Sequence, residues 1–405
     1  MDHQDTSLAE TSVPGGAQSA YRAHLDAWSR LVAAQQPSWE YDPELGQARA
    51  ELGVKPALVE QPDVLALRGL LARVEAGDAH LLHVGECAEL FDMAEPEYVG
   101  ERLRLYQRMA DRLAERTGKE AVLLARMAGQ HAKPRSSPTE VLPSGEELAV
   151  YRGDAVNRRT PEADARKPDP WRLLESYHAS AETLELLRQE PQGKHRVFVS
   201  HEALLRDYEE PMTRGRDTLY ATTGHLVWIG ERTRRLWNWH IQWARSIANP
   251  VGVKFGPSAT PYDVFDVVRT LNPEGEHGRL SVILRMGAEG AADHIDPAIK
   301  AVTEASSPVL WQCDPMHGNT RKLGNSKFRL LPDLRSEVTT FVRSLRRAGH
   351  HPGGLHLEVT PYDVCECHES VATAADGHPA PPCDPRLNAD QSMEMVDHFA
   401  AEVAG

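Results

Sequence analysis

No apolar run in the 405 residues approaches the roughly 18 that would suggest a helix across a bilayer, so no membrane span is expected. Cysteine is scarce. The five, Cys87, Cys313, Cys365, Cys367 and Cys383, are odd in number and scattered, which argues against a disulfide framework and suits a reducing cytoplasm. Positive charge is outnumbered, with 45 Lys and Arg against 59 Asp and Glu, and the formal net charge of -14 argues against general affinity for nucleic acid or membrane surfaces. A locally positive pocket remains compatible with it. The start, MDHQDTSLAETSVPGGAQSA, has neither a basic opening nor an apolar core, so no signal peptide is read and residues 1–20 are expected to form a disordered tail. A glycine-rich dinucleotide fingerprint is also missing, which leaves a doubly wound open sheet without support.

What is present is a repeat of buried strands. A chain of this length can bury roughly 75% of the surface it exposes when unfolded, so it folds without metal or disulfide. Residues 21–78 read as a helical extension, with short elements punctuated by proline and glycine and then PDVLALRGLLARVEAG, whose apolar face ends at glycine. After it come eight strand-like runs: HLLHVG (80–85), AVLLAR (121–126), HRVFVS (195–200), HLVWIG (225–230), VGVKFG (251–256), LSVILRMG (280–287), PVLWQC (308–313) and GLHLEV (354–359). Most are separated by segments of helical period such as YVGERLRLYQRMADRLAERT. Eight strands with crossover helices predict an α/β fold, a (β/α)8 TIM barrel over 79–405, with an elaborated loop after strand two that contains WRLLESYHASAETLELLRQE as a helix.

In such barrels functional groups gather at the carboxyl ends of the strands. Most of the eight runs finish on charged or metal-binding side chains, and these fall into two sets. Cys87, His317, Glu358 and Asp384 offer a thiol, an imidazole and two carboxylates, a mixed donor set that suits Mn, Co, Fe or Zn without forcing a choice. Arg126, Lys133, Arg135, Arg232, Lys254, Arg285, Lys327 and Arg329 form a cationic set. Lys254 and Arg285, placed within or at the end of apolar strands, need an anionic partner, either a protein carboxylate or a substrate phosphate or carboxylate. One metal and two anion pockets favour joining two anionic substrates over hydrolysing one. Within LWQCDPMHGN, LWQC reads as barrel wall and DPMHGN as the turn that presents His317, with Asp314 either orienting that imidazole or capping the turn.

The motifs AGQHAKPRS, YRGDAVN, SHEALLRDYE, WIGERTR, RMGAE, DPMHGNT, GGLHLEVTPYDVCEC and CDPRLN, in order over about 80–395, resemble the type II, plant-like 3-deoxy-D-arabino-heptulosonate 7-phosphate (DAHP) synthases. The resemblance implies a TIM barrel that condenses phosphoenolpyruvate with erythrose 4-phosphate. It makes Cys87, His317, Glu358 and Asp384 ligands of one divalent ion, with Mn2+ or Co2+ expected. It places Arg126, Glu231, Arg232, Lys254 and Arg285 at phosphoenolpyruvate, and Lys133, Arg135, Ser136 and Lys327 at erythrose 4-phosphate. Glu231 is the candidate for orienting or activating water and Lys133 for delivering a proton. The partners implied are small phosphorylated molecules and further copies of the chain, in a homodimer or larger homo-oligomer.

The sequence departs from the family pattern in three places: GECAELF at the first ligand, RKLGNSKFRLLPD around Lys327, one residue short, and LWNWHIQWARSIANP. In the last, Trp237, Trp239 and Trp243 are expected to pack one helix face on the barrel, the alternative being an altered pocket or interface. Compactness resembles the short family forms of secondary-metabolite pathways such as phenazine production, which implies weak feedback inhibition. An amino-sugar variant of the reaction, a metal-dependent aldolase or phosphohydrolase, and a noncatalytic scaffold are the competing readings.

Overall fold

Continuous apolar strands need cover on both faces, and the chain supplies it by closing the sheet. In this computed structural model, which describes residues 24, 26–39, 41–142, 144–191, 193–324, 326–374 and 383–405, eight parallel strands close into a barrel in chain order. They are β1 (Ala79–Gly85), β2 (Glu120–Arg126), β3 (Val197–Glu202), β4 (Leu226–Ile229), β5 (Val251–Phe255), β6 (Leu280–Leu284), β7 (Leu310–Cys313) and β8 (Gly354–Glu358). Each corresponds to one of the eight runs read from the sequence. Residues 1–20, expected as a disordered tail, lie outside the described residues.

Among the described residues a helical turn at 26–29 and two longer helices, α1 (Leu45–Val54) and α2 (Gln61–Glu75), precede the barrel. Leu67, Leu71 and Val74 of α2 are buried in one cluster with Leu81, Val122, Leu124, Phe198, Leu226, Trp228, Ile283 and Leu310 from the barrel strands. Helix α2 thus closes the amino-terminal end of the barrel, leaving the opposite end for chemistry. Burying each of these aliphatic side chains is worth about 2 kcal/mol.

The outer helices are α3 (Pro96–Thr117), α4 (Arg172–Gln189), α5 (Trp239–Ser246), α6 (Pro261–Leu271), α7 (Ala291–Ala305), α8 (Leu331–Arg347) and α9 (Ala389–Ala404). Their limits follow local chemistry. Helix α3 has proline in its first turn and stops at Gly118, whose φ of 68° gives the left-handed cap. Helix α6 starts with a Thr260–Asp263 capping box. The loop after β2 holds a hairpin of Thr139–Val141 with Glu147–Ala149 before α4. Between β3 and β4 there is only a four-residue helix, Arg206–Glu209, and a short hairpin, because Pro211 and Gly215 interrupt the segment.

The tryptophan-rich segment differs from expectation. Trp239 and Trp243 stack with ring centroids 5.2 Å apart and donate to Glu210 and Thr213. Trp237 precedes the N-cap Asn238 and is 78% exposed, so two of the three, not all, form the packed face.

Three buried histidines make the fold acid-sensitive. Burial lowers His80, His225 and His240 to about 4. His225 Nδ1 accepts from the Val199 N–H, and His240 Nε2 is 3.0 Å from the Leu204 carbonyl while its Nδ1 is buried without a partner. A second ring proton therefore breaks one hydrogen bond or buries an unpaired donor. In the unfolded chain these rings protonate near pH 6.5, so between about 6.5 and 4 the unfolded state binds more protons. Stability is expected to be full above that window and to fall as pH drops through it. Thermal unfolding followed from pH 7 to 4 checks this; a Tm flat across the range contradicts it.

Candidate active site

Glu358, the last residue of β8, is fully buried at the barrel mouth. Its Oε1 lies 3.1 Å from His317 Nε2, 3.1 Å from Arg126 Nη2 and 3.8 Å from Lys133 Nζ. Arg329 Nη2 sits 2.9 Å from Oε2 but out of line for a hydrogen bond, so that buried oxygen keeps no donor. Burial pushes the carboxyl up, yet the His317, Arg329 and Arg126 charges outweigh it and hold Glu358 well below the usual range.

The turn after β7 presents His317. Asp314 is fully buried and lies 2.8 Å from His317 Nδ1 and 2.7 Å from Lys254 Nζ, and it also accepts from the backbone N–H groups of Met316 and His317. Asp314 both orients the ring and shapes the turn. A proton held on Nδ1 turns the Nε2 lone pair toward Glu358 Oε1. Two acceptors facing each other at 3.1 Å require positive charge on or between them.

The other ligand candidates meet at Asp384. Its Oδ2 is 3.5 Å from Cys87 Sγ, its N–H points at the same sulfur at 3.1 Å, and its Oδ1 is 2.7 Å from Lys327 Nζ. Ligand atoms of His317, Glu358 and Asp384 lie within 4.8 Å of one another, as do those of Cys87, Cys383 and Asp384. The structure thus brings all four sequence-predicted ligands together, with Asp384 common to both groups. The donor types and the donorless Glu358 oxygen fit a divalent ion. Cys383 joins them although sequence reasoning gave it no role; its position beside Asp384 in CDPRLN was the available signal.

The cations divide by partner. Protein carboxylates pair with Lys254 (Asp314), Lys327 (Asp384), and Arg126 and Arg329 (both Glu358). For Lys254 the anionic partner that the sequence left open is thus a protein carboxylate. Burial first, then the charge of Arg126, lowers Lys254 despite Asp314. Lys133 donates to the Cys87 carbonyl, and the surrounding anions raise it against the effect of burial. Arg285 donates to the His317 carbonyl at 2.5 Å and has no carboxylate within ion-pair distance among the described residues. A Cβ at position 256 would sit 2.5 Å from Arg285 Nη1, which accounts for Gly256 beneath it. Arg232 and Ser136 are exposed and make no hydrogen bond or ion pair to the buried cluster among the described residues.

Glu231 accepts from Arg234 Nε and Nη2, the Gly256 N–H and Ser258 Oγ. Its ion-pair partner is Arg234, not the adjacent Arg232. All four acceptor positions of the carboxylate are filled.

Further buried polar groups escaped sequence reasoning. Arg126 Nη1 donates to His356 Nε2 at 3.0 Å; His356 Nδ1 then donates to His83 Nδ1 at 2.9 Å, and His83 Nε2 to Ser200 Oγ at 2.8 Å. Because guanidinium only donates, Arg126 fixes both imidazole tautomers. Glu337 of α8 accepts from the Met286 N–H and Asn319 Nδ2, each at 2.7 Å, tying the loops that carry Arg285 and His317. Burial pushes its carboxyl up to about 8, against the pull of the Gly287 N–H. A histidine inside the apolar runs of β1 and β8 was the visible signal for the first network.

Fold and site together define a metal-dependent barrel enzyme that handles anionic substrates. The sequence model of the class-II DAHP synthetase family matches residues 23–196 and 189–400. The chain is 36% identical over 437 residues to a phospho-2-dehydro-3-deoxyheptonate aldolase of Streptomyces coelicolor, covering 92% of this chain and 95% of that one. It is 36% identical over 440 residues to one of Mycolicibacterium smegmatis, covering 93% of each. A solved phospho-2-dehydro-3-deoxyheptonate aldolase from Francisella tularensis superposes with a TM-score of 0.54 at 16% identity, over 88% of this chain and 96% of that one, a likeness of fold. The chain belongs to the class-II DAHP synthetase family.

Proposed function

We infer that this chain condenses phosphoenolpyruvate, erythrose 4-phosphate and water into 3-deoxy-D-arabino-heptulosonate 7-phosphate and phosphate, the entry to the shikimate pathway. The observation that carries the reading is the mixed donor cluster set among cations at one barrel mouth, in a chain of this family.

Cys87, His317, Glu358 and Asp384 would hold a divalent ion, Mn2+ or Co2+, which supplies Lewis acidity toward the aldehyde. Arg126, Lys254, Arg285 and Arg232 bind the phosphate and carboxylate of phosphoenolpyruvate, and Arg135, Ser136 and Lys327 bind the aldose phosphate. Arginine supplies planar paired contacts and lysine a point charge. Holding two polyanions in contact is itself a large part of the catalysis, since in water they repel. As C3 of phosphoenolpyruvate bonds to the aldehyde carbon, Lys133 delivers a proton to the aldehyde oxygen. Water then adds at C2 and gives one proton back to Lys133; the C2–O bond to phosphate breaks as the C2 hydroxyl becomes a carbonyl, its proton leaving with the phosphate. Glu231 orients that water; with all its acceptor positions filled, it must exchange the Ser258 hydroxyl for the water.

We also propose a cytoplasmic setting, which the five unpaired cysteines support, and a homo-oligomer, which rests on family likeness. No helix among the described residues is long and apolar enough to cross a membrane.

Phosphate release by metal-loaded protein tests the reading. Release is expected to require both phosphoenolpyruvate and erythrose 4-phosphate, and His317→Ala is expected to lower kcat/KM at least about a thousandfold by removing a ligand and its orientation. Release with only the 4-amino analogue moves the substrate and keeps the mechanism. No release with either, from folded protein, overturns the reading.

A further inference from the structure

The loop after β2 folds back so that the Lys133 N–H bonds to the Arg152 carbonyl, which sets Arg152 beside the KPRS segment. The Arg152 guanidinium is half-buried, yet among the described residues its hydrogen bonds go only to the carbonyl oxygens of Gln35 and Gln36, at 3.1 and 3.3 Å. No carboxylate lies within ion-pair distance of it among the described residues. Its neighbour Arg135 is barely better neutralised: Glu140 stands 3.8 Å away and is committed to Arg166 at 2.5 Å. Burial and then the charge of Arg135 lower Arg152.

The pair is also held in place. Gln35 adopts φ of 63°, unusual for a residue with a side chain, and in that conformation its Oε1 accepts from the Arg135 N–H while its carbonyl accepts from Arg152. Arg135 reaches Cys383 Sγ at 3.8 Å and Lys327 reaches the Cys383 carbonyl at 3.3 Å, so these cations border the residue next to Asp384. Two adjacent guanidinium groups short of counter-charge, fixed by a strained turn beside the donor cluster, need a dianion.

We propose that Arg152 is a specificity-determining residue that binds the phosphate of the aldose substrate together with Arg135, and that Gln35 sets the spacing of the two. The inference rests on the function proposed above and adds to it a residue and an element ahead of the barrel.

Steady-state kinetics of Arg152→Met and Arg152→Lys test it. Arg152→Met is expected to raise KM for erythrose 4-phosphate roughly ten- to hundredfold, the size of a lost charged hydrogen bond, with KM for phosphoenolpyruvate within about threefold of the parent. The preference for erythrose 4-phosphate over D-erythrose, as a ratio of kcat/KM, is expected to fall by the same factor, because D-erythrose has no phosphate to lose. Arg152→Lys keeps a charge and recovers part of the preference; if the methionine variant fails to fold, this variant decides. A role confined to tying down Gln35 and Gln36 would raise both KM values together and leave the preference unchanged, and either result overturns the proposal. If the parent enzyme itself releases no phosphate with erythrose 4-phosphate, the function fails separately. Calorimetric titration with inorganic phosphate then tests the subsite alone: weaker binding by Arg152→Met upholds it, and equal binding overturns it.

Discussion

Glu358→Gln is expected to destabilise the metal-free protein by about 3–5 kcal/mol, because the substitution removes the buried charge shared by several cations. Arg126, Arg329 and Lys133 all lie within 3.8 Å of this carboxylate, and the first two are essentially without solvent contact. Desolvated guanidinium groups left without a counter-charge cost far more than an exposed ion pair is worth. The amide keeps the shape of the side chain but places an N–H₂ against at least one donor. Replacing a partner instead gives a graded result: Arg329→Met removes one cation and leaves Glu358 with Arg126 and His317. Urea unfolding of the metal-free variants measures both, and a loss below about 1 kcal/mol for Glu358→Gln would mean that water or rearrangement screens the cluster. The same substitution removes a metal ligand candidate, so it is also expected to weaken metal binding. Comparing stability with and without metal separates the two effects.

The barrel could be read from the sequence because its strands are buried on both faces, so each appears as an unbroken apolar run. The site could be read in part because a charged residue ending such a run has few structural excuses. What the runs do not encode is pairing at a distance. Arg126 and Glu358 are 232 positions apart, and nothing local indicates that one carboxylate serves Arg126, Arg329, Lys133 and His317 together. Lys254 likewise looked like an unpaired strand cation until closure of the barrel brought Asp314 to it across 60 positions. Helix α2 showed its apolar face, but that this face closes one end of the barrel depends on a cylinder that exists only after folding. Gln35 gave no signal: its conformation is imposed by contacts with the loop after β2, against the preference of a residue with a side chain. Trp237 was misjudged by adjacency, since two positions before Trp239 the chain is not yet helical.

Asp314→Asn is expected to weaken divalent-metal affinity about ten- to a hundredfold, although Asp314 is not among the proposed ligands. The carboxylate holds the proton of His317 on Nδ1 and so keeps Nε2 free at the centre. Asparagine offers one oxygen and one N–H₂. If its oxygen faces Lys254, the N–H₂ opposes Nδ1–H and the ring takes the other tautomer, whose Nε2–H blocks metal binding. If its oxygen faces His317, Lys254 meets a donor and, already lowered by burial, gives up its charge more readily and with it an anion contact. Either orientation damages the site, the first through the metal and the second through phosphoenolpyruvate. Metal titration and KM for phosphoenolpyruvate tell them apart, and a variant that keeps both within about twofold of the parent would show that Asp314 only shapes the turn. Adding Lys254→Met to Asp314→Asn supplies the decisive comparison. With the ammonium gone, the asparagine oxygen is free to turn to His317, so metal affinity is expected to recover toward the parent value even as phosphoenolpyruvate binding worsens.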